Sequence, residues 1–425
     1  MKIVCAPAPF GFASPSNDVE MILFGQGNKA QGGVGDAVAK LLARKKLKPS
    51  ERAWDLLAIA LSVVSADLAG HRSKSPDGWT RQFELTVAVL DPDFWRTQAK
   101  ELEGLLQFLT TDIWTLTFVA GGAPLPAGNK ATYPTETSVV LLSGGLDSFI
   151  GALDLVANGE KPLAVSQSVR GDDVKQRDLS SHIGGGLSHL QLNHNAKPPK
   201  PENPPSQRGR SLIFLAYGVL AGTTLQRYRD DGTVTLYLCE NGFITINPPF
   251  TAARLGSLST RTSHPVVLAL LQQILDAAGL RVRIESPYRF KTKGEMLTEC
   301  ADQSLLTTNA HITTSCGRFK RFGYKHCGRC VPCLIRRAAF RAWQTTDKTE
   351  YIYRNLSRND KDHAGFDDVR SAAMAVAQVK EEGLQRWLGA SLSHRYLKTD
   401  TENIRAVVQR GLAELGMFLD VFDVK

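Results

Sequence analysis

The sequence has no hydrophobic run long enough to cross a bilayer. Its best candidate, LLAIALSVVSADLAG from Leu56, is preceded by Asp55 and interrupted by Asp67, a pattern that predicts a buried helix. The stretch MKIVCAPAPFGFA is broken by Pro7 and Pro9 before the apolar region of a signal peptide could form, so a cytoplasmic protein with no membrane partner is expected. Cysteine is scarce, 7 in 425 residues, which excludes a secreted disulfide scaffold. Acidic residues are outnumbered, 42 against 51 lysines and arginines, for a formal charge of +9. That field favours phosphate-bearing partners, nucleic acid among them, although solubility alone accounts for a charge of this size. No repeat of the usual solenoid periods is visible.

What remains is an ordinary globular composition, 43% hydrophobic and 22% charged, in a chain long enough for two or three domains. Residues 1–120 mix strand-like stretches (2–5, 19–24, 82–90, 114–120) with helix-like ones (51–68, 94–109). They read as a small α+β domain without chemistry of its own, serving packing or partner binding. Residues 121–137, GGAPLPAGNKATYPTET, read as a linker. From residue 138 to 345 short apolar strands (162–167, 233–239, 281–286) alternate with helical patterns (211–226, 266–279), which predicts an α/β fold with a doubly wound parallel sheet. The proline-rich KPPKPENPPSQRGR at 197–210 reads as a surface loop able to act as a lid. Residues 346–425 read as a helical extension, clearest at 368–388 and 401–422.

Residues 138–151 are SVVLLSGGLDSFIG, an apolar strand that leaves through Ser-Gly-Gly and enters a helix through Asp-Ser. Gly144 and Gly145 let the backbone turn so that several N–H groups face one point. Ser143 and Ser148 add hydroxyls, and a helix opening near Leu146 adds its dipole. This is an anion cradle, and its structural alternative is a serine-capped helix after a glycine turn. It is not a Walker loop, because no Gly-Lys-Ser/Thr comes after it. A loop that grips phosphates without a lysine on the terminal one suits a pyrophosphate leaving group.

The SGGLDS segment resembles the PP-loop ATP pyrophosphatases (adenine nucleotide alpha hydrolase-like). The resemblance implies that the loop, Ser143 to Ser148, holds the β,γ-pyrophosphate of ATP while a substrate oxygen attacks the α-phosphorus, with Mg²⁺. Asp147 is then a Mg²⁺ contact or the organiser of the loop; otherwise it is a helix N-terminal charge.

Four cysteines cluster: Cys316, then Cys327-Gly-Arg-Cys330-Val-Pro-Cys333. Four soft ligands at this spacing suit tetrahedral Zn²⁺ in a closed, structural site at 316–333. An iron–sulfur cluster is the rival, since C-x-x-C-x-x-C also opens a ferredoxin run, but the fourth cysteine here lies upstream. With this zinc segment the chain resembles more narrowly the QueC family of 7-cyano-7-deazaguanine synthases. The segment CGRCVPCLIRRAAF carries the likeness, with RSLIFLAYGVLA from Arg210 and SPYRFKTKGEM from Ser286. CENGFITINPPF stands where that family has a glycine-rich substrate segment. The added N-terminal and C-terminal parts resemble the QueC-like proteins of bacterial antiphage defence operons, in particular the QatC proteins of the Qat system.

Other residues carry two readings each. Lys293 could neutralise phosphate charge as pyrophosphate leaves, or be an exposed helix-start lysine. Arg208 and Arg210 could clamp phosphates or face solvent. Glu240 and Asn241 lie just past a strand end, where open α/β sheets bind ligands, and a carboxylate there could accept from the N–H donors of a guanine-like edge. The basic set Arg318, Lys320, Arg321, Lys325, Arg329, Arg336 and Arg337 could face an anion, or offset thiolate charge.

The leading expectation is an ATP-dependent C–N ligase that adenylylates a carboxylate, 7-carboxy-7-deazaguanine or a relative, and releases AMP and pyrophosphate. The acyl group then passes to an amine on a partner protein from the same defence operon. The alternatives are nitrile synthesis using ammonia, a tRNA-modifying PP-loop enzyme, and a non-enzymatic ATP-binding scaffold. The tRNA reading needs a catalytic cysteine pair, and Cys5, Cys239 and Cys300 offer no C-x-x-C.

Overall fold

Two five-stranded parallel sheets organise the chain, and both have the same strand order. The structure, a computed structural model, describes every residue except 12–13, 127–129, 170, 204–205, 207, 249, 251–260, 262, 357–367, 393 and 425. Parts of the expected linker and lid, and one residue of CENGFITINPPF, thus lie outside the described residues.

The first sheet uses β1 (Lys2–Ala6), β2 (Val19–Gly25) and β3 (Gly32–Gly35). Helices α1 (Asp36–Lys45) and α2 (Glu51–Ala69) lead to β4 (Gln82–Val89), and α3 (Pro92–Thr97) and α4 (Ala99–Thr110) to β5 (Ile113–Ala120). The order is β3-β2-β1-β4-β5, and every pairing is parallel. The expected α+β domain is therefore corrected to α/β. The last two strands misled because they alternate: in β5, Trp114, Leu116 and Phe118 are buried while Ile113, Thr115 and Thr117 are exposed, and β4 begins in the same way. Alternation of that kind usually marks an antiparallel sheet with one wet face. Here a parallel sheet has it, with α2 and α4 packed into the core on its dry face.

The second sheet runs β6 (Ser138–Leu141), α5 (Leu146–Ala157), β7 (Pro162–Gln167), α6 (Asp173–His182) and β8 (His189–Leu192). It continues through α7 (Arg210–Gly222), α8 (Gln226–Arg229), β9 (Val234–Tyr237), α9 (Gly242–Ile246), α10 (Pro265–Ala277) and β10 (Val282–Glu285). Its order, β10-β9-β6-β7-β8, is again all parallel and doubly wound. β6 is buried on both faces: Val139 and Leu141 join the core shared with the first sheet, Val140 and Leu142 the core under α5. The apolar run from Leu56 is α2, buried along nearly its whole surface between the first sheet and α7. Among the described residues no helix is long and apolar enough to cross a membrane.

Helices α11 (Lys293–Glu299), α12 (Gln303–Asn309), α13 (Val331–Ala342), α14 (Asp368–Glu382), α15 (Leu384–Leu388) and α16 (Thr401–Asp420) complete the chain. The tail packs α14 and α16 into one core with α9 and α13. Gly411 of α16 lies so close to Phe243 of α9 that a Cβ would meet the ring at 2.6 Å. The helical extension thus supports elements that lead out of the second sheet.

Candidate functional site

The two middle strands of the second sheet, β6 and β9, are where its winding reverses, and an open α/β sheet has its crevice at the carboxyl ends there. Ser143 to Ser148 leave β6 at this point, and Glu240 and Asn241 leave β9. Gly144 has φ +84°, a left-handed conformation that glycine adopts without strain. The Ser148 hydroxyl lies 3.0 Å from that of Ser143 and donates to the Gly145 carbonyl, while the Gly145 N–H donates to Ser143 Oγ at 3.2 Å. The loop is cross-linked by its own serines, and α5 begins from it with Gly145 as N-cap.

Asp147 is buried in the first turn of α5. One carboxylate oxygen pairs with the Lys293 ammonium; the other accepts from Asn241 Nδ2 at 2.6 Å and Asn241 N–H at 3.2 Å. Three separate segments therefore meet on this carboxylate: the loop, the turn from β9 into α9, and the start of α11. Lys293 is buried and opens α11 behind a capping box of Thr292 and Glu295, so the reading of an exposed helix-start lysine fails. Glu240 accepts from the Ser263 hydroxyl, and burial, with Asp147 nearby, pushes its carboxyl above the usual range. Glu414 of α16 accepts from the Thr292 hydroxyl, which ties the tail to the cap of the helix that carries Lys293.

Arg210 opens α7 and donates to Gln167 at the end of β7. Gln176 links that place to the loop, donating to the carbonyls of Gln167 and Ser143 at 3.1 Å each. Arg208 points elsewhere. It donates to the Thr110 carbonyl of the first unit and stacks on Trp79. The stretch before Arg210 is fastened to the same unit, with Glu202 N–H on Leu68 O and Gly209 N–H on Asp67. Asp67 in turn pairs with buried Arg81.

The four cysteines converge. Their sulfurs all lie within 4.8 Å of one another, with Cys316 to Cys330 at 3.8 Å and Cys327 to Cys333 at 3.9 Å. Tetrahedral zinc at ~2.3 Å from each sulfur gives an edge of ~3.8 Å, so the set fits the metal. The N–H groups of Arg318 and Cys327 donate to Cys316 Sγ, and that of Cys330 to Cys327 Sγ. Among the described residues no other group of three His, Cys, Asp or Glu side chains converges so.

This cluster adjoins the serine–glycine loop. Thr314 N–H donates to the Gly144 carbonyl at 2.9 Å, two residues before Cys316. Lys175 donates to the Thr314 hydroxyl and lies 4.0 Å from the Phe319 ring centre. Arg336, fully buried, donates to Thr313, Ser315, Ala310 and Thr349. Of the basic set, Arg329 and Arg337 also turn onto backbone carbonyls, of Asn355 and of Gly328 and Arg354. Sequence reasoning missed Lys175, Gln176, Ser263, Thr314 and Glu414. The two threonines beside Cys316 were a visible signal; Lys175 sits on a helix, DVKQRDLSSH, too polar to stand out.

Residues 263–344 match the family model described as queuosine biosynthesis protein QueC. The matched stretch runs from Ser263 through Lys293 and all four cysteines to the end of α13, and over it the chain is QueC-like. Neither curated proteins nor solved structures give a match to this chain.

Proposed function

We propose that the protein is an ATP-dependent PP-loop enzyme that activates a carboxylate by adenylylation. The carrying observation is Asp147, held by Lys293 and Asn241 at the mouth of a glycine-turned loop where the sheet reverses. Both of its oxygens are engaged, which favours loop organiser over metal ligand. In this reading the N–H groups of Gly144, Leu146 and Asp147 and the α5 dipole hold the pyrophosphate, and Arg210 adds charge beside them. Mg²⁺ bound to the nucleotide would supply screening of the phosphate charge. A substrate carboxylate oxygen bonds to the α-phosphorus, and the bond from that phosphorus to the bridging oxygen breaks. Pyrophosphate then carries off the electron pair.

The QueC-like stretch supports a 7-deazaguanine carboxylate as substrate. Glu240 stands at the strand end where its base edge would lie, while Asn241 beside it is fully buried and spent on Asp147 and the Ile244 N–H. We extend the proposal to the acceptor: an amine attacks the acyl carbon, AMP leaves, and the amine's proton passes to solvent. A protein amine fits a chain whose first sheet and tail both reach the elements around the site, and a role beside QatC-type defence proteins accords with that architecture. The four cysteines would hold zinc, which stabilises the fold without entering the reaction.

The test is incubation with Mg-ATP and 7-carboxy-7-deazaguanine, with nucleotide products separated and the protein and co-expressed neighbours weighed intact. AMP and pyrophosphate are expected, with an acyl-mass increment on a partner. ADP as the main product would mean attack at the γ-phosphorus and end the reading. Free nitrile from ammonium, with every protein unmodified, would replace the protein acceptor.

A further inference from the structure

A groove lies away from the loop, between α13 and α16, with a volume of about 1140 Å³. Its floor is the end of α16 and the turn after it: Met417, Phe418, Val421 and Phe422, two pairs at i, i+4 spacing. Met417 and Val421 are each 55% exposed, unusual for large apolar side chains on one stripe. Arg337 lies over both phenylalanine rings, at 5.0 and 4.9 Å, and closes the floor from one side.

The rim is basic. Arg341, Lys348 and Arg354 line the groove, and none forms an ion pair among the described residues. The two acids that line it are already used. Asp347 accepts from the Tyr351 hydroxyl at 2.6 Å and the Thr349 N–H at 3.0 Å, and Glu414 accepts from Thr292. Three unneutralised cations around an apolar stripe define the complement: apolar residues on one face and carboxylates beside them. A nucleic-acid strand would satisfy the cations but leave Met417 and Val421 wet, and Arg337 already lies over the Phe418 and Phe422 rings on which bases would stack.

We propose that this groove docks an acidic, amphipathic segment of a partner protein, laid helix-in-groove along α16. Its wall residue Glu414 also holds the helix of Lys293, so the docked segment lies against the back of the site. The claim concerns binding alone and does not depend on the adenylylation reading.

The test is selection of a random peptide display library on the whole protein, and then fluorescence anisotropy with the enriched peptide carrying fluorescein. Enriched peptides should combine apolar residues at i, i+4 spacing with Asp or Glu. Binding should weaken at least about tenfold in Arg341→Glu/Lys348→Glu and in Met417→Glu, and should fall with added salt. Val421→Glu serves as a second apolar variant, and unchanged melting curves confirm folding of each. Failure to enrich any peptide, or peptides indifferent to both sets of variants, would overturn the proposal. Labelled single-stranded oligonucleotide that binds, is lost on charge reversal and ignores Met417→Glu would replace the peptide with nucleic acid. A dimer in sedimentation that Met417→Glu dissolves would replace it with a second copy of this chain.

Discussion

The two sheets share a strand order and differ in the residues that leave their central strands. Beyond β6 stand Ser143, Gly144 and Gly145, which carry backbone N–H groups through a glycine turn into the start of α5, those of Ser143 and Gly145 held by the loop's own serines. Beyond β1 stand Pro7, Ala8 and Pro9, and proline has no N–H to offer. At the end of β4, the N–H groups of Leu90 and Asp91 are taken by Asp55 at 2.7 and 3.0 Å, with Trp95 Nε1 on the same carboxylate. Burial pushes the Asp55 carboxyl up, but in either form it fills the place where an anion would need donors. The topology offers a crevice twice; only the second opens through a glycine turn into a helix start, the arrangement proposed above to hold phosphate. Fold gives position, and residue chemistry decides use.

The largest effects should come from breaking the second crevice at its carboxylate. Asp147→Ala strands the Lys293 ammonium in a buried place and should cost roughly 3–5 kcal/mol of stability. AMP formation should fall by at least about 10²-fold. The double variant Asp147→Asn/Lys293→Met should regain much of the stability and none of the activity. That separates the pair's structural part from its chemical one. The counterpart in the first crevice, Asp91→Ala, removes the N-cap of α3 and an exposed pair with Arg52. It should cost about 1 kcal/mol and leave turnover unchanged. Equal losses of activity at both places would erase the distinction between the sheets.

The cysteines sharpen the contrast. Elemental analysis should find about one zinc per chain in a colourless protein, and a brown one would restore the iron–sulfur reading. Cys330→Ser should remove the metal and lower the melting temperature. It should also speed hydrogen exchange at Gly144 to Leu146, because Thr314 ties the segment to the loop. Cys5, in β1, is a lone buried thiol whose pKa burial pushes up to about 12. Cys5→Ser should leave zinc content and loop exchange as they are. Smaller again is Gly144→Ala: at φ +84° it should strain the loop by about 1–2 kcal/mol and cut AMP formation roughly tenfold.

How much of this was legible varies with how local the cause is. The strand, the serine–glycine turn, the helix start and the cysteine set are all short-range, and each was readable. The parallel first sheet was not, because β4 and β5 carry the alternation of a one-sided sheet and β3, Gly32-Gly33-Val34-Gly35, has almost no side chains to signal with. The helix expected at 94–109 breaks at Gln98 into α3 and α4, and that at 368–388 breaks at Gly383, where φ is +83°. Lys293 was readable as a candidate but not as the partner of Asp147, 146 positions away, since only packing brings them together. The bracing of its helix by Glu414 was invisible for the same reason.

The seam between the two sheets offers the subtlest test, through acid. His264 caps α10, accepting the Val266 N–H on Nδ1 at 3.2 Å, and packs 5.0 Å from Phe108 of α4. Burial holds its pKa down to about 3, with Arg261 and His394 adding to the depression. His194, whose carbonyl accepts from Gly35 of β3, is held down to about 4 by burial and by Arg210. Both stay neutral in the fold, while in the unfolded chain they take up protons below about pH 6.5. The unfolded state then binds more protons, so their contribution is intact above that pH and is lost as the pH falls toward 4 and then 3. Each depressed histidine adds at most about 1.4 kcal/mol per pH unit to the slope. His264→Asn keeps a side-chain oxygen for the cap and removes one titrating group. Urea titrations from pH 7 to about pH 5 should therefore give a shallower loss of stability for His264→Asn than for the parent, with little difference at pH 7. An unchanged slope would mean that the seam does not feel the proton, and that acid unfolds the two sheets from within.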